Sequence, residues 1–268
     1  MTDERDGVDL TCVWDAPRPY VHPLTTPAGA VLSVEAPADH PWHHALWFAI
    51  KFVNGENFWE EYGEFGTLRT TAVDGADDGT TATLDWIAPD GETRRLRETR
   101  TLRTTALDAD AFAIEWTEQL GAPVTTVLDR TPFTTWGGYG GLTLRGAPDW
   151  TDTTIRLADG APRERTLGER SPWLAIGGTA HDGVDAQPAG VVLFDHPDNV
   201  RFPTPWYASN RADTYGEGWA NFVNAAFLWD EPLTVEPDAP LRLRYRVLVH
   251  DGTWATDRIE HEYGRWAT

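Results

Sequence analysis

Leu241-Arg242-Leu243-Arg244-Tyr245-Arg246-Val247-Leu248-Val249 alternates apolar and charged side chains. Successive side chains of a strand point to opposite faces. Leu241, Leu243, Tyr245, Val247 and Val249 therefore share one face, and Arg242, Arg244 and Arg246 share the other. One buried and one wetter face mark an antiparallel strand on a core. Phe112, Ile114 and Trp116 repeat the pattern, as do Ala82, Leu84 and Trp86. The Thr- and Arg-rich stretch from Arg94 to Thr105 reads as an exposed strand. It pairs with Thr80–Ala88 through the turn Pro89-Asp90-Gly91.

Working outward, further strands are expected over Asp9–Trp14, Tyr20–Thr25, Val31–Glu35, Leu46–Phe52, Thr67–Val73 and Gly140–Leu144. Trp173–Gly178, Gly190–Phe194 and Ala225–Trp229 complete the set. Many strands separated by Gly/Pro turns predict an all-β fold, a large antiparallel β-sandwich. One short C-terminal helix is expected over Thr253–Tyr263, placed to cover a sheet edge. No repeat, linker or composition break divides residues 1–268, so a single domain is expected. Thr204–Trp219 reads as a long aromatic and polar loop.

The net charge of −20 and the pI of about 4.6 argue against nucleic acid and against an anionic membrane surface as partners. Lys51 is the only lysine; such acidic, lysine-poor composition is of the halophilic type, since salt screens self-repulsion. Cys12, the only cysteine, allows no internal disulfide and no cysteine-based zinc site. The acidic start lacks an apolar stretch and no run reaches membrane-span length, so a cytoplasmic setting is expected.

The densest chemical cluster is Asp39-His40-Pro41-Trp42-His43-His44, which holds three of the eight histidines. Imidazole titrates near neutrality and serves as acid, base or metal ligand. On strict alternation His44 shares a face with Leu46 and Phe48, and His43 with Ala45 and Trp47. His22 is a further candidate. Glu56, Glu60, Glu61 and Glu64 read as a solvated acidic loop. A second constellation, Trp136-Gly137-Gly138-Tyr139-Gly140-Gly141, lets backbone approach a ligand or a neighbouring strand, and Arg145 behind it suits a carboxylate or hydroxyls. No phosphate-loop or serine-hydrolase motif is present. A third is Asp195-His196 at a strand end, with Asp195 placed to orient the imidazole. Trp206, Tyr207, Tyr215 and Trp219 form an expected stacking wall, and 14 tryptophans beside Asp, Asn, His and Arg suit a sugar site.

The segments Arg18–Pro23, Asp39–Ala49, Gly140–Leu142, Asp195–Asn199 and Leu243–Gly252 resemble the prokaryotic family labelled "methane oxygenase PmoA". The family pattern reads His-His-Arg-Gly-Leu-Trp where this chain has His43-His44-Ala45-Leu46-Trp47. Its label fits membrane proteins with several spans, so methane oxidation is not expected. The resemblance implies a β-rich fold of the galactose mutarotase supersandwich kind. It also implies a role in sugar catabolism with a functional link to sugar oxidoreductases.

Three readings follow. The first is a mutarotase-, epimerase- or lyase-like enzyme acting on a pyranose or keto-sugar. His44 and His196 are its acid and base, with Asp195 orienting. His22, His40, His43, Tyr139, Arg145 and Tyr207 bind substrate, and Trp47 or Trp206 stacks on it. The second is a noncatalytic carbohydrate-binding protein. No cofactor is expected in either. The third is an enzyme with a divalent metal held by His22, His40 and His44.

Overall fold

The computed structural model describes residues 10–76, 79–131, 139–181, 185–211 and 220–268. The strand Leu241–Asp251 stands near the centre of a nine-stranded antiparallel sheet. It pairs with Ala186–Asp195 on one side and Ala111–Gly121 on the other. Beyond Ala111–Gly121 lie Arg94–Asp108, Gly79–Ile87 and Thr67–Ala76. Beyond Ala186–Asp195 lie Trp173–His181, Thr151–Leu157 and Pro162–Arg163. The expected hairpin closes at Pro89-Asp90-Gly91. The Ala88 N–H donates to Thr93 O, Asp90 Oδ1 accepts from the N–H groups of Glu92 and Thr93, and Gly91 takes a φ of 78°.

A seven-stranded sheet packs against the first. Its order is Cys12–Val13, Tyr20–Val21, Leu46–Ile50, Gly140–Arg145, Phe222–Ala225, Pro205–Ser209 and Arg165–Arg170. Leu46, Phe48, Leu142, Leu144 and Val223 from this sheet meet Leu84, Trp86, Ile114, Trp116, Leu193 and Val247 from the other in one apolar cluster. A four-stranded sheet of short strands, from Leu233–Val235 to Glu56–Asn57, completes the array. None of the sheets closes into a barrel, so the fold is an all-β sandwich. Among the described residues no helix is long and apolar enough to cross a membrane.

The outer face of each large sheet is also covered. The single helix, Thr256–Trp266, lays Ile259 on Ala111, Trp173, Ala175, Val192, Phe194 and Leu248. It covers the face of the nine-stranded sheet rather than the expected edge, because those positions are apolar on both sides of their strands. Thr204–Trp219 does not begin as a loop: Pro205–Ser209 is a fully buried strand, and residues 212–219 lie outside the described residues. Val31–Glu35 makes only isolated bridges, and the strand expected over Ala225–Trp229 ends at Ala225. Within the core, Glu98, Arg100 and Glu118 are buried together, with Arg100 Nε 2.8 Å from Glu98 and 2.9 Å from Glu118. The indoles of Trp86 and Trp116 donate to the same two carboxylates.

Candidate active site

Register places Tyr20, Trp47, Thr143, Asn224 and Tyr207 side by side across the seven-stranded sheet. Their neighbours along each strand, among them Leu46, Phe48, Leu142, Leu144 and Val223, face the core. The row therefore lies on the outer face. Trp47, Trp59, Tyr207 and Phe222 form an aromatic layer there, with Tyr139 stacked on Trp59 at 4.8 Å. In the middle of the row Asn224 Nδ2 donates to Thr143 Oγ1 at 2.7 Å.

The histidine loop folds over this layer. Strict alternation would send the rings of His43 and His44 to opposite faces. Ala45 instead adopts a φ of 56°, an unfavourable conformation for a residue with a Cβ, and passes its carbonyl to the N–H of Arg145. The alternation resets there, and both imidazoles lie against Trp47, at 5.4 Å and 6.4 Å. His43 packs among His40, Trp47 and Phe222. Burial, helped by the nearby His40, Arg145 and His44, holds its pKa well below the usual imidazole range, so the ring is neutral.

His44 has a more ordered environment. Its face stacks on Tyr20 at 5.2 Å and 15°. Nε2 donates to Glu61 Oε1 at 2.7 Å. Its Nδ1 lies 3.5 Å from Glu35 Oε1, so the ring stands between two carboxylates. The Glu35 side chain is 34% exposed, against 5% for His44. Glu35 is thus the most exposed member of the array, ahead of Glu61 at 20%. Burial, with Glu35, Asp15 and Glu61 adding to it, raises the Tyr20 pKa and keeps its phenol a donor. Behind the array Arg18, fully buried, donates to Phe58 O at 2.6 Å; burial lowers its pKa to about 10, against the pull of Glu61 and Glu60. Lys51 pairs with Glu60. On the other flank Asp39 joins Arg145 Nη2, at 2.9 Å, to His40 Nδ1, at 2.8 Å. Trp42 and the exposed Tyr62 meet edge to face at 5.2 Å beside these groups.

Residues 9–264 match a family described as of unknown function, DUF6807. The chain belongs to that family. No curated protein matches it. The match corrects the resemblance to the "methane oxygenase PmoA" family, which finds no support. What that resemblance alone implied, a mutarotase supersandwich and a link to sugar oxidoreductases, loses its footing with it.

The DUF6807 fold gathers His40, His43, His44, Trp47, Tyr139, Arg145 and Tyr207 on one face. It does not bring His196 and Asp195 there. They stand at the end of Ala186–Asp195 in the other sheet. Asp195 does not orient the imidazole: its oxygens accept from Asn199 Nδ2 and the Thr204 N–H, at 2.7 and 2.8 Å. His196 Nδ1 instead accepts from the Asp198 N–H at 3.1 Å, and its ring meets the edge of Trp266. The pair closes a turn. Trp206 points into the sandwich core and donates to Ser171 O, so only its neighbour Tyr207 joins the outer layer. Trp47 is too deeply buried to offer a face for stacking. His22 stands at the margin, with Nδ1 2.9 Å from Ser33 Oγ; burial lowers its pKa while Glu35 acts in the opposite sense.

The imidazoles of His22, His40 and His44 turn ring nitrogens to three different partners, Ser33, Asp39 and Glu61. Among the described residues no group of three His, Cys, Asp or Glu could hold a metal ion. Trp136, Gly137, Gly138, Tyr215 and Trp219 lie outside the described residues. Glu35 and Glu61 are the functional candidates that sequence reasoning missed. Glu35 ends the expected Val31–Glu35 segment, and only the folded backbone, where that end bridges His44, brings it to the ring.

Proposed function

We propose that this DUF6807 chain is an acid–base enzyme acting on a small hydroxylated ring compound, a pyranose or keto-sugar, at the His44 face. The observation that carries the reading is the Glu35–His44–Glu61 array. Glu35 meets the substrate and takes or returns a proton. His44, behind it, exchanges that proton through Nδ1, and Glu61 fixes the ring by accepting from Nε2. The phenol of Tyr20 supplies a neutral donor at the mouth. Trp42 and Tyr62, rather than Trp47, offer aromatic surface to the CH face of a ring. Both reactions balance: in mutarotation the anomeric hydroxyl gives up a proton as the C1–O5 bond breaks and O5 takes one, and the ring recloses with those transfers reversed; in enolisation the proton beside the carbonyl leaves as the carbonyl oxygen gains one.

The test is proton NMR of aldoses and keto-sugars in D2O, following anomerisation and exchange of the proton beside the carbonyl. Wild type should accelerate one of these. Glu35→Gln and His44→Asn should each lose about 10²–10⁴-fold, the range for a positioned acid or base. His196→Ala should stay within about threefold of wild type, because it lacks that role. A rate that survives both site variants, or that falls in His196→Ala, contradicts the assignment. A noncatalytic sugar-binding role is the second reading, favoured by the half-buried Trp42 beside the exposed Tyr62. It predicts that Trp42→Ala abolishes binding while Glu35→Gln leaves it intact.

A further inference from the structure

On the outer face of the nine-stranded sheet, Thr154, Gly177, Gly190 and His250 lie in one row across four strands. The next row, Arg156, Ala175, Val192 and Leu248, runs beneath the helix, which packs on its last three members. The helix does not fill the glycine row. Two adjacent glycines leave a trough between Thr154 and His250, and it forms part of a cleft of about 480 Å3. The His250 ring leans across Gly190, where a Cβ would meet its Nε2 at 2.4 Å. Over Gly177 a Cβ would make only ordinary contact, at 3.5 Å from Ala189 O. The open part of the trough is therefore above Gly177, beside the Nε2 edge of His250.

Two side chains that line this cleft carry polar atoms with bonding capacity to spare. His250 is buried, and its Nδ1 lies 3.1 Å from Asp251 O, so the proton sits on Nδ1 and Nε2 presents a lone pair. Burial lowers the His250 pKa to about 4, which keeps the ring neutral. Trp254 stacks on His250 at 4.4 Å and lines the same cleft. Its indole is buried, and Nε1–H has no hydrogen-bond partner among the described residues. Buried donors are rarely left in that state. Arg258 lies over the Trp254 ring and Arg156 holds its backbone carbonyl, so the indole is fixed in place.

We propose that this trough is a second binding site, for a small uncharged molecule bearing several hydroxyls, of polyol size. A hydroxyl is the group that can both accept from Trp254 Nε1–H and donate to His250 Nε2. A carboxylate can accept but cannot donate, so it leaves the His250 Nε2 lone pair unmet; of the two charged side chains lining the cleft, Asp152 opposes an anion and Arg156 is engaged with the Trp254 carbonyl. Thr154 and Thr179 offer further hydroxyl contacts to the remaining groups. The site shares no residue with the His44 face, so either proposal stands if the other fails.

The experiment is a titration of the intact chain with xylitol, followed by the indole proton–nitrogen NMR signals. The Trp254 signal is identified by its loss in Trp254→Phe. It should shift saturably with xylitol, stay fixed with acetate at equal concentration, and no longer respond in Gly177→Val. An unmoved signal, an equal response to acetate, or full saturation in Gly177→Val overturns the proposal. Where valine at 177 disturbs the sheet, seen as movement of the other indole signals, Thr154→Val decides. Weakened binding then supports the site and unchanged binding overturns it.

Discussion

Asp195 is buried with only two hydrogen bonds to offset its charge, and burial raises its pKa to about 7 despite Asn199 and the Thr204 N–H. An acid whose pKa rises on folding favours the fold when protonated. Its contribution is complete below its unfolded value near 4 and is lost as pH rises through about 7, at most about 4 kcal/mol in all. Urea melts at fixed salt should therefore show stability falling from pH 5 to pH 8. Asp195→Asn should flatten that slope, and an unchanged slope would refute the origin. In the core, Arg100 can balance only one of Glu98 and Glu118; burial raises the Glu118 pKa well above the carboxylate range, opposed by Arg100 and reinforced by Glu98. Arg100→Met strands both carboxylates and should cost about 3–5 kcal/mol, whereas Glu118→Gln at neutral pH should cost far less. At this scale the histidine cluster was legible because His40, His43 and His44 are close in sequence. Glu35 and Glu61 were not, since nothing local says which of the many carboxylates folds back onto the ring. Asp195-His196 misled for the converse reason: adjacency along the chain does not put a carboxylate on its neighbour's ring nitrogen.

Elements buried on one face announced themselves, and elements buried on both did not. Leu243, Tyr245 and Val247 alternate with half-exposed arginines, and that strand was legible. Pro205–Ser209 and Phe222–Ala225 are buried at every position, so no alternation survives to reveal them or to say whether Trp206 or Tyr207 faces inward. The glycine-rich approach to Arg145 resolves as packing. A Cβ on Gly141, at a φ of 117°, would lie 2.2 Å from Ala225 O. Gly141→Ala should therefore push apart the strands that carry Arg145 and Asn224, lowering stability by at least about 1–3 kcal/mol. The helix was legible as an element but not its target. Ile259→Ala should cost about 2–5 kcal/mol by emptying the cluster over Trp173 and Phe194. Chemical denaturation of both variants measures these values, and wild-type stability in either would contradict the packing described.

Over the whole molecule, two large sheets bury one core between them, and each covers its outer face with aromatic side chains. The core and these two faces together take up most of the fourteen tryptophans without a sugar. The sandwich was legible from strand number and turns, because many short antiparallel strands have few other ways to bury one face each. The family was not, since quoted segments of His, Pro and Trp recur without specifying kinship. With a net charge of −20 the compact state repels itself, so the melting temperature should rise on going from low salt to molar potassium chloride. A fall would point to ion pairs outweighing that repulsion. The most direct measurement of the His44 site is thermal shift in high salt with monosaccharides, disaccharides and their keto-oxidised forms, on wild type and Trp42→Ala. A ligand that binds only the folded state raises stability by roughly 2.7 kcal/mol at a hundredfold excess over its Kd. A rise with one sugar class in wild type, absent in Trp42→Ala, is the expected result. An equal rise in both proteins, or none with any sugar, would contradict the claim that this face is where the chain meets its substrate.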